Sequence, residues 1–316
     1  TLSAVTVEHN LADGVPGFGL AFGGGIHNEN RLDLLNNSQV RHNRAEWGEV
    51  RGGGVSNQNS GGGSAVFTLN ASSVSTNTAQ GTLGAEGGGI YSGFGGTADL
   101  LLGEVRNNLA DGGQFAGGGG VASVGVLTVT SSLVISNAAT AASISNGGGI
   151  RTLGSAAVLI TGTQIYTNTA QNGGGWYNTV GISLGDAQLV NSDVRSNQAQ
   201  ADGGGIYNTG TGVQVSSSDV RANQAITNGG GIYNVGELQI FSSQVLTNSA
   251  ISGGGAYNTG SAMIFFGSTL QANQAISAGG GLYNASGFAG VNNGSVLRAN
   301  QAITGGGAYN AANMNF

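Results

Sequence analysis

The sequence predicts an all-β fold, a right-handed parallel β-helix of about eleven coils, each of 24–35 residues with three short strands. Three motifs lead to this prediction, and they recur in register along the chain. They are a glycine triplet, an asparagine followed two residues later by alanine, and a pair of apolar anchor residues. No segment shows the helical period of about 3.6 residues, so helical repeats are excluded.

The glycine triplet is the first motif. Eleven triplets are each followed by an apolar residue, and successive triplets start 24 to 35 residues apart. Glycine is costly to order, so its presence in every coil predicts a positive φ or a close backbone approach at this corner. The triplets start at Gly23, Gly52, Gly87, Gly118, Gly147, Gly173, Gly203, Gly229, Gly253, Gly279 and Gly305.

The asparagine motif alternates with the triplets. Each asparagine has an apolar residue three positions before it and an alanine two positions after it. We expect these asparagines to point inward at a corner and to hydrogen-bond their counterparts in the coils above and below, as a structural ladder. The ladder asparagines are Asn10, Asn43, Asn77, Asn108, Asn137, Asn168, Asn197, Asn223, Asn248, Asn273 and Asn300.

The apolar residue of the asparagine motif is preceded, five positions earlier, by a second apolar anchor, for example Leu35, Leu69 or Leu100. The exception is Asn292, which holds this position in one coil. Stacking of coils would place valine on valine and leucine on leucine down the interior. After the triplets, strand alternation predicts that Ile206 points into the core and Tyr207 points out.

These repeats resemble those of chlamydial polymorphic outer-membrane proteins, autotransporter adhesins whose passengers alternate a Gly-Gly-Ala-Ile type motif with Phe-x-x-Asn. Here the first motif reads Gly-Gly-Gly-Ile-Tyr-Asn at residues 203–208 and 229–234, and the second reads Val/Leu-x-x-Asn. The resemblance covers nearly the whole chain and implies the β-helix fold and a secreted, adhesin-like role. In this chain glycine replaces alanine, and valine or leucine replaces phenylalanine.

A single β-helix domain is predicted over residues 1–316, in two parts. Between the ladder asparagine and the next triplet lie 8 to 12 residues in the first five coils and only 4 or 5 in the last six. Residues 1–146 should therefore form irregular coils with longer loops at one corner, and residues 147–316 regular coils. The loops carry Phe18, Trp47 and Phe115, and they either fold back over the coil edge or form a binding or lateral-contact surface.

Two outward stripes are predicted. Six tyrosines in consecutive coils form either a self-stacking aromatic ladder or a flat face that binds sugar rings or a neighbouring rod. They are Tyr177, Tyr207, Tyr233, Tyr257, Tyr283 and Tyr309. Arginines two positions before ladder asparagines form either a solvated row or an anchor for acidic glycans. They are Arg41, Arg106, Arg195, Arg221 and Arg298.

Composition excludes several classes of protein. The chain has 62 glycines without a three-residue period and a single proline, so it is not collagen. It has no cysteine, and therefore no disulfide and no thiolate metal site. A net charge of −6 without a basic patch argues against nucleic acid as a partner. No apolar run is long enough for a membrane-spanning helix, and no cofactor or metal is expected.

An enzyme is not expected, because the 15 acidic residues are scattered singly. Asp193 and Asp219 occupy the same place in neighbouring coils and are the best catalytic or cation-binding candidates, with pairing to nearby arginines as the alternative. The histidines His9, His27 and His42 lie in the first two coils, where they either cluster by stacking or are surface residues without function.

The first functional hypothesis is a structural protein of the extracellular space or cell surface, a subunit of a head-to-tail filament or an adhesin stalk. Its partners would be copies of itself or a longer parent chain, with glycans as a further candidate. The alternative is a carbohydrate-binding adhesin passenger, and a polysaccharide lyase or hydrolase ranks third. The chain begins at Thr1 without an initiator methionine, so we expect a mature or trimmed product.

Overall fold

The fold is given by a computed structural model that describes residues 1–14, 19–61, 63–154, 157–181 and 185–316. These residues wind as a right-handed parallel β-helix, so the predicted fold class is confirmed. The strands align into five parallel sheets, numbered 1 to 5 here in the order in which the chain visits them. Within the described ranges, no helix has the length and hydropathy that crossing a membrane requires.

Sheets 1 and 2 run along the whole rod. The 12 strands of sheet 1 are Leu2–Ser3, Arg31–Leu35, Val66–Asn70, Thr97–Leu101, Val126–Thr130, Val158–Thr161, Ala187–Val190, Val213–Ser216, Glu237–Phe241, Ala262–Phe266, Phe288–Asn292 and Asn313–Asn315. The 11 strands of sheet 2 are Thr6–Glu8, Gln39–Arg41, Ser73–Ser75, Glu104–Arg106, Leu133–Ile135, Gln164–Tyr166, Asp193–Arg195, Asp219–Arg221, Gln244–Leu246, Thr269–Gln271 and Val296–Arg298.

Sheet 3 follows the ladder asparagines, and sheet 4 is confined to the N-terminal coils. The 10 strands of sheet 3 are Leu11–Asp13, Arg44–Glu46, Thr78–Gly81, Leu109–Gly112, Ala138–Ala141, Thr169–Ala170, Gln198–Ala199, Gln224–Ala225, Ser249–Ser252 and Gln274–Ala278. The 5 strands of sheet 4 are Leu20–Phe22, Glu49–Arg51, Gly84–Glu86, Phe115–Gly117 and Ile144–Asn146.

Sheet 5 follows the glycine triplets. Its 11 strands are Ile26–Asn28, Val55–Asn57, Ile90–Ser92, Val121–Ser123, Ile150–Thr152, Trp176–Asn178, Ile206–Asn208, Ile232–Asn234, Ala256–Asn258, Leu282–Asn284 and Ala308–Asn310. On this sheet Ile206 is fully buried and Tyr207 faces outward, as predicted. The glycines cross from the preceding sheet to sheet 5, and the first of each triplet has a positive φ, for example 68° at Gly203.

The prediction of three strands per coil is wrong. The Asn-x-Ala segment forms a fourth strand as well as a corner. The residues after the asparagine are extended and pair as sheet 3, for example Ala199 with Ala225. In the N-terminal coils, the longer stretch after this segment forms a further strand, which belongs to sheet 4. Extending the coil in this way pairs backbone groups that a loop would leave without partners.

Side chains stack in columns down the interior. Val194, Val220 and Val245 of sheet 2 are register partners and are fully buried. Sheet 1 contributes a matching column, in which Leu189 pairs with Val215. Burial of each such side chain contributes roughly 1.5–3 kcal/mol to the free energy of unfolding. Most of the atoms that bury it belong to the coils above and below. One coil therefore cannot be stable alone.

Two anchor assignments are one residue out of register. The sequence pattern places Leu35 inside, but Leu34 is the buried residue and Leu35 is half exposed. In the same way Val291 is buried in the last anchor position, next to Asn292. Both coils carry one extra residue in the corner that follows, and the corner residues with positive φ are Asn36, Asn37, Asn293 and Gly294.

Candidate functional site

The structure joins all eleven ladder asparagines, from Asn10 to Asn300, in one hydrogen-bonded column between sheets 2 and 3. The backbone N–H and the side-chain Nδ2 of each asparagine donate to Oδ1 of the next. The remaining Nδ2 hydrogen reaches a backbone carbonyl of the preceding coil, as Asn223 Nδ2 reaches Val194 O at 2.9 Å. From Asn43 to Asn273 these amides are buried and fully hydrogen-bonded, and their geometry is that of a structural brace.

A second asparagine ladder lies inside sheet 5. Each Nδ2 donates to Oδ1 of the next asparagine over 2.8–3.0 Å. Strand alternation predicts that the asparagine two residues after each Ile faces inward, but the predicted ladder comprised only the asparagines of the Asn-x-Ala motif. The signal was the repeated Ile-Tyr-Asn ending after the triplets. The members are Asn178, Asn208, Asn234, Asn258, Asn284 and Asn310.

The tyrosine stripe is a column of mutually stacked rings on the outer face of sheet 5. Successive ring centroids are 4.7–5.4 Å apart from Tyr177 to Tyr309. Burial raises the pKa of the Tyr207 hydroxyl above its ordinary value. Because each inner ring has a neighbour on both faces, the column exposes ring edges and hydroxyl groups. Such a surface lacks the open ring face that stacks on a sugar.

Towards the N-terminus, the tyrosine column continues into Arg151, which is the register partner of Tyr177. Arg151 is largely buried, its NH1 is hydrogen-bonded to Glu86 Oε1, and its guanidinium lies 4.2 Å from the ring centre of Phe115. Burial lowers the pKa of Arg151. The arrangement ties sheet 4 to sheet 5 at the place where sheet 4 ends.

Gly117 makes the space for Arg151. A Cβ at this position would lie 2.4 Å from Arg151 Cδ. The sequence motifs did not predict this brace, although the run of four glycines at 117–120 marks its position. Beside it, burial raises the pKa of Tyr91 to about 12, and the Glu86 carboxylate adds to the effect.

Of the three residues proposed as a loop contact surface, the structure places Trp47 and Phe115 beside different cavities. Phe18 lies outside the described residues. Trp47 stands at the corner between sheets 3 and 4, beside a cavity of about 310 Å³. Phe115 lies on sheet 4 under Arg151, beside a different cavity of about 400 Å³ that Glu86 also lines. Phe115 thus lies on a strand, and Trp47 lies in the short corner between the strands Arg44–Glu46 and Glu49–Arg51.

On the outer face of sheet 2, Asp193 is held by two arginines. Its carboxylate accepts hydrogen bonds from Arg221 Nε at 3.0 Å and Arg221 NH2 at 2.8 Å, and it also contacts Arg195. Asp219 is the register partner of Asp193, and burial, with a contribution from the Asp193 carboxylate, raises its pKa. The geometry here is that of an ion-pair network.

The remaining arginines of this stripe also have partners on the coil surface. Arg41 pairs with Glu8 at 2.7 Å and Arg106 with Glu104 at 3.5 Å. Arg298 Nε donates to Gln271 Oε1 at 2.8 Å. Partnered arginines have less residual charge to offer an acidic glycan.

The three histidines separate into two places. The rings of His9 and His42 stack with centroids 5.2 Å apart. His27 instead stacks on Phe22 at 5.4 Å and lies 3.4 Å from Glu29. In the part of the chain that the structure describes, no group of three or more histidine and acidic side chains is placed to hold a metal ion.

Comparison with protein-family models, with curated proteins and with solved structures found no match for this chain. The likeness to chlamydial polymorphic outer-membrane proteins therefore rests on the repeat motifs alone. Of what that likeness implies, the structure shows the parallel β-helix.

Proposed function

We propose that this chain is a non-enzymatic structural protein of the cell surface or extracellular space, a subunit of a head-to-tail filament. The observation behind this proposal is that three polar columns, the two asparagine ladders and a column of buried serines, each run in one direction. The N–H and Nδ2 of Asn248 donate to Oδ1 of Asn273 on the C-terminal side, whereas Oδ1 of Asn248 accepts from Asn223 on the N-terminal side. A column of serines lies in the corner between sheets 1 and 2 and follows the same rule, since the Ser218 N–H donates to Ser243 Oγ and the Ser243 N–H donates to Ser268 Oγ.

One-way ladders give each coil two different faces. Within the ladders, the side of a coil towards the C-terminus offers asparagine N–H and Nδ2 donors, and the side towards the N-terminus offers asparagine Oδ1 acceptors. Two copies stacked head to tail would repeat the coil-to-coil interface, whereas two copies stacked head to head would set the donors of one asparagine ladder against those of the other. A contact of this heterologous type does not close, so it generates a filament.

The site geometry supports a role without catalysis. Asp193 and Asp219 were the best candidates for paired catalytic carboxylates, but Asp193 is engaged by Arg195 and Arg221. The absence of lysine and the low content of charged residues, 8 %, suit a rod whose surfaces meet copies of itself outside the cell. An adhesin stalk within a longer chain would use the same features.

Electron microscopy of the purified chain in serial dilution tests the filament. One chain should be a rod about 50 Å long, since each coil adds roughly 4.8 Å. Rods several times that length, one chain wide and persistent on dilution, support end-to-end stacking. Particles no longer than one chain would contradict the filament, and the adhesin stalk would then be the remaining structural proposal.

A pair of variants at the first coil sharpens this test. Val7 packs partly against the core at this end, and its neighbour Thr6 is exposed. Val7→Asp places a charge on the stacking face and should leave single rods. Thr6→Asp adds the same charge on the outer face and should still assemble. Equal assembly by both variants would contradict stacking at this face.

A further inference from the structure

A cavity of about 310 Å³ at the corner between sheets 3 and 4 has no role in a stacking rod. Trp47 lines it and is 41 % exposed. Glycines line the cavity in the next two coils, where Gly81 and Gly112 are register partners, so the surface there is main chain. A single exposed indole needs no explanation by itself. This one, however, borders a concave site with polar walls.

The polar walls are organised by hydrogen bonds among themselves. Arg44 NH2 lies 2.8 Å from Glu46 Oε2 and also bonds Gln80 Oε1. Gln80 Nε2 donates to Asp111 Oδ2 at 3.4 Å, and Thr140 Oγ1 donates to Asp111 Oδ1 at 2.9 Å. These planar groups are therefore oriented before any ligand arrives, which lowers the entropic cost of binding.

The walls retain hydrogen-bonding capacity for a ligand. A carboxylate can accept about four hydrogen bonds, so Asp111 can take further donors. Adjacent hydroxyl groups on a sugar ring match such a carboxylate and a neighbouring amide in spacing and in polarity. The C–H bonds on a sugar's opposite face carry slight positive charge, which packs favourably on the negative face of an indole.

The charge and size of the cavity limit which saccharides it can bind. Arg44 offsets Glu46, so the Asp111 carboxylate leaves the cavity with negative character that disfavours acidic sugars. The volume is near the lower limit of ligand pockets, roughly 300 Å³. That is room for a short saccharide and too little for a larger ligand.

We propose that the cavity bordered by Trp47, Gln80 and Asp111 binds one or two units of a neutral saccharide. The indole stacks on the apolar face of a sugar ring, while Asp111 and Gln80 hold its hydroxyl groups. This inference goes beyond the proposed filament, which needs no ligand. Either can fail without the other, because Trp47 lies on the side of the rod and not on a stacking face.

Tryptophan fluorescence tests the proposal directly, because the chain has only two tryptophans and Trp176 is fully buried. Acrylamide quenching of the intact protein therefore reports Trp47. Neutral oligosaccharides of glucose, galactose, mannose and N-acetylglucosamine would be titrated, with sialic acid and glucuronic acid as acidic probes. At least one neutral sugar should protect Trp47 in a saturable way, with a dissociation constant in the range of about 1 mM or below.

Three variants separate binding from mere shielding, each checked by circular dichroism and by calorimetric titration. Trp47→Ala should weaken binding of the active sugar by about tenfold or more. Asp111→Asn should weaken it too, while leaving Trp47 in place as the reporter. Leu83→Ala is the matched control, because Leu83 is exposed nearby but does not line this cavity, and binding should be unchanged.

Two results would overturn the proposal. One is that no neutral sugar protects Trp47 at millimolar concentration while the fold is intact. The other is that a bound sugar is retained equally by Trp47→Ala, which would place binding elsewhere on the rod. Protection by acidic sugars alone would also contradict the charge argument.

Discussion

Asn197 donates both its backbone N–H and its side-chain Nδ2 to Oδ1 of Asn223, each over 3.0 Å. One buried oxygen thus satisfies two donors from the coil below. The residue before Asn197, Ser196, has a φ of 53°, a conformation that costs a non-glycine residue about 1–2 kcal/mol. The paired hydrogen bonds hold the chain in this turn, so the ladder fixes the corner as well as the stack.

Asn223→Ala should therefore destabilise the protein strongly. The substitution leaves the two Asn197 donors without their acceptor, at a cost of about 1–3 kcal/mol for each buried donor, and it removes the Nδ2 hydrogen bond to the Val194 carbonyl. Guanidinium unfolding followed by circular dichroism measures the loss, which we expect to be at least about 3 kcal/mol. Gln224→Ala, an exposed change at the next residue, should stay within about 0.5 kcal/mol. Equal effects of the two variants would contradict the role of the ladder.

Tyr207→Ala should cost stability through lost ring stacking. Tyr207 stacks on Tyr177 at 5.0 Å and on Tyr233 at 4.8 Å, and each such pair is worth about 0.5–1.5 kcal/mol beyond burial. The expected loss in the free energy of unfolding is about 1–3 kcal/mol, whereas Tyr207→Phe should retain most of the stability. Phe94→Ala, at an 88 % exposed ring, is the control and should be neutral. If Tyr207→Phe lost as much stability as Tyr207→Ala, the hydroxyl group and not ring stacking would be the source of the stabilisation.

The sequence was sufficient to predict the fold because the repeat reports the stacking. Valine recurs three residues before the asparagines because one column of the core must be filled in every coil, as at Val194 and Val220. Register failed only where a coil is one residue longer, at Leu34 and Val291, because a fixed spacing cannot show a corner with an extra residue.

The site was less predictable than the fold. Longer segments between motifs have the same composition whether they form loops or an added strand, so composition alone predicts loops where sheet 4 forms. The brace between Arg151 and Glu86 joins residues two coils apart. Its partners become neighbours only because Ala122 and Gly117 in the intervening coil are small. No local pattern around either residue contains that information.

Gly117→Ala should disturb the protein only while Arg151 is present. The new Cβ would lie 2.4 Å from Arg151 Cδ, so the guanidinium must leave Glu86 or the backbone must shift, at a cost of about 1–3 kcal/mol. Arg151→Ala alone should cost roughly 3–5 kcal/mol, since it leaves Glu86 with its main partner removed. In the Arg151→Ala background, Gly117→Ala should cost less than about 0.5 kcal/mol.

A second glycine of sheet 4 supplies the control for this double-mutant cycle. A Cβ at Gly84 would meet Phe115 Cδ1 at 3.6 Å, an ordinary contact, so Gly84→Ala should be near neutral in both backgrounds. Thermal or denaturant unfolding of the variants measures the coupling energy. Additive effects of Gly117→Ala and Arg151→Ala would show that the glycine is not retained for the arginine.

Asp202 should make stability depend on pH, because it interrupts a short asparagine column before the glycine triplets. Asn172 Nδ2 donates to Asn146 Oδ1 at 3.1 Å, and the N–H and Nδ2 of Asn228 both donate to Asp202 Oδ1 at 3.0 Å. As a carboxylate, Asp202 cannot donate in turn towards Asn172. Burial raises its pKa despite the hydrogen bonds from Asn228, so the folded protein favours the protonated form.

A raised pKa in the folded state fixes the sign of the effect. The contribution of Asp202 to stability is complete below its unfolded pKa of about 3.9 and is lost as the pH rises through the folded value. Asp202→Asn supplies a permanent donor, so it should match the wild type near pH 3 and exceed it by about 1 kcal/mol at pH 7. Denaturant unfolding across this range measures both curves. Glu237→Gln, at an exposed carboxylate, should leave the pH profile of the wild type unchanged, and parallel curves for Asp202→Asn and the wild type would refute the assignment.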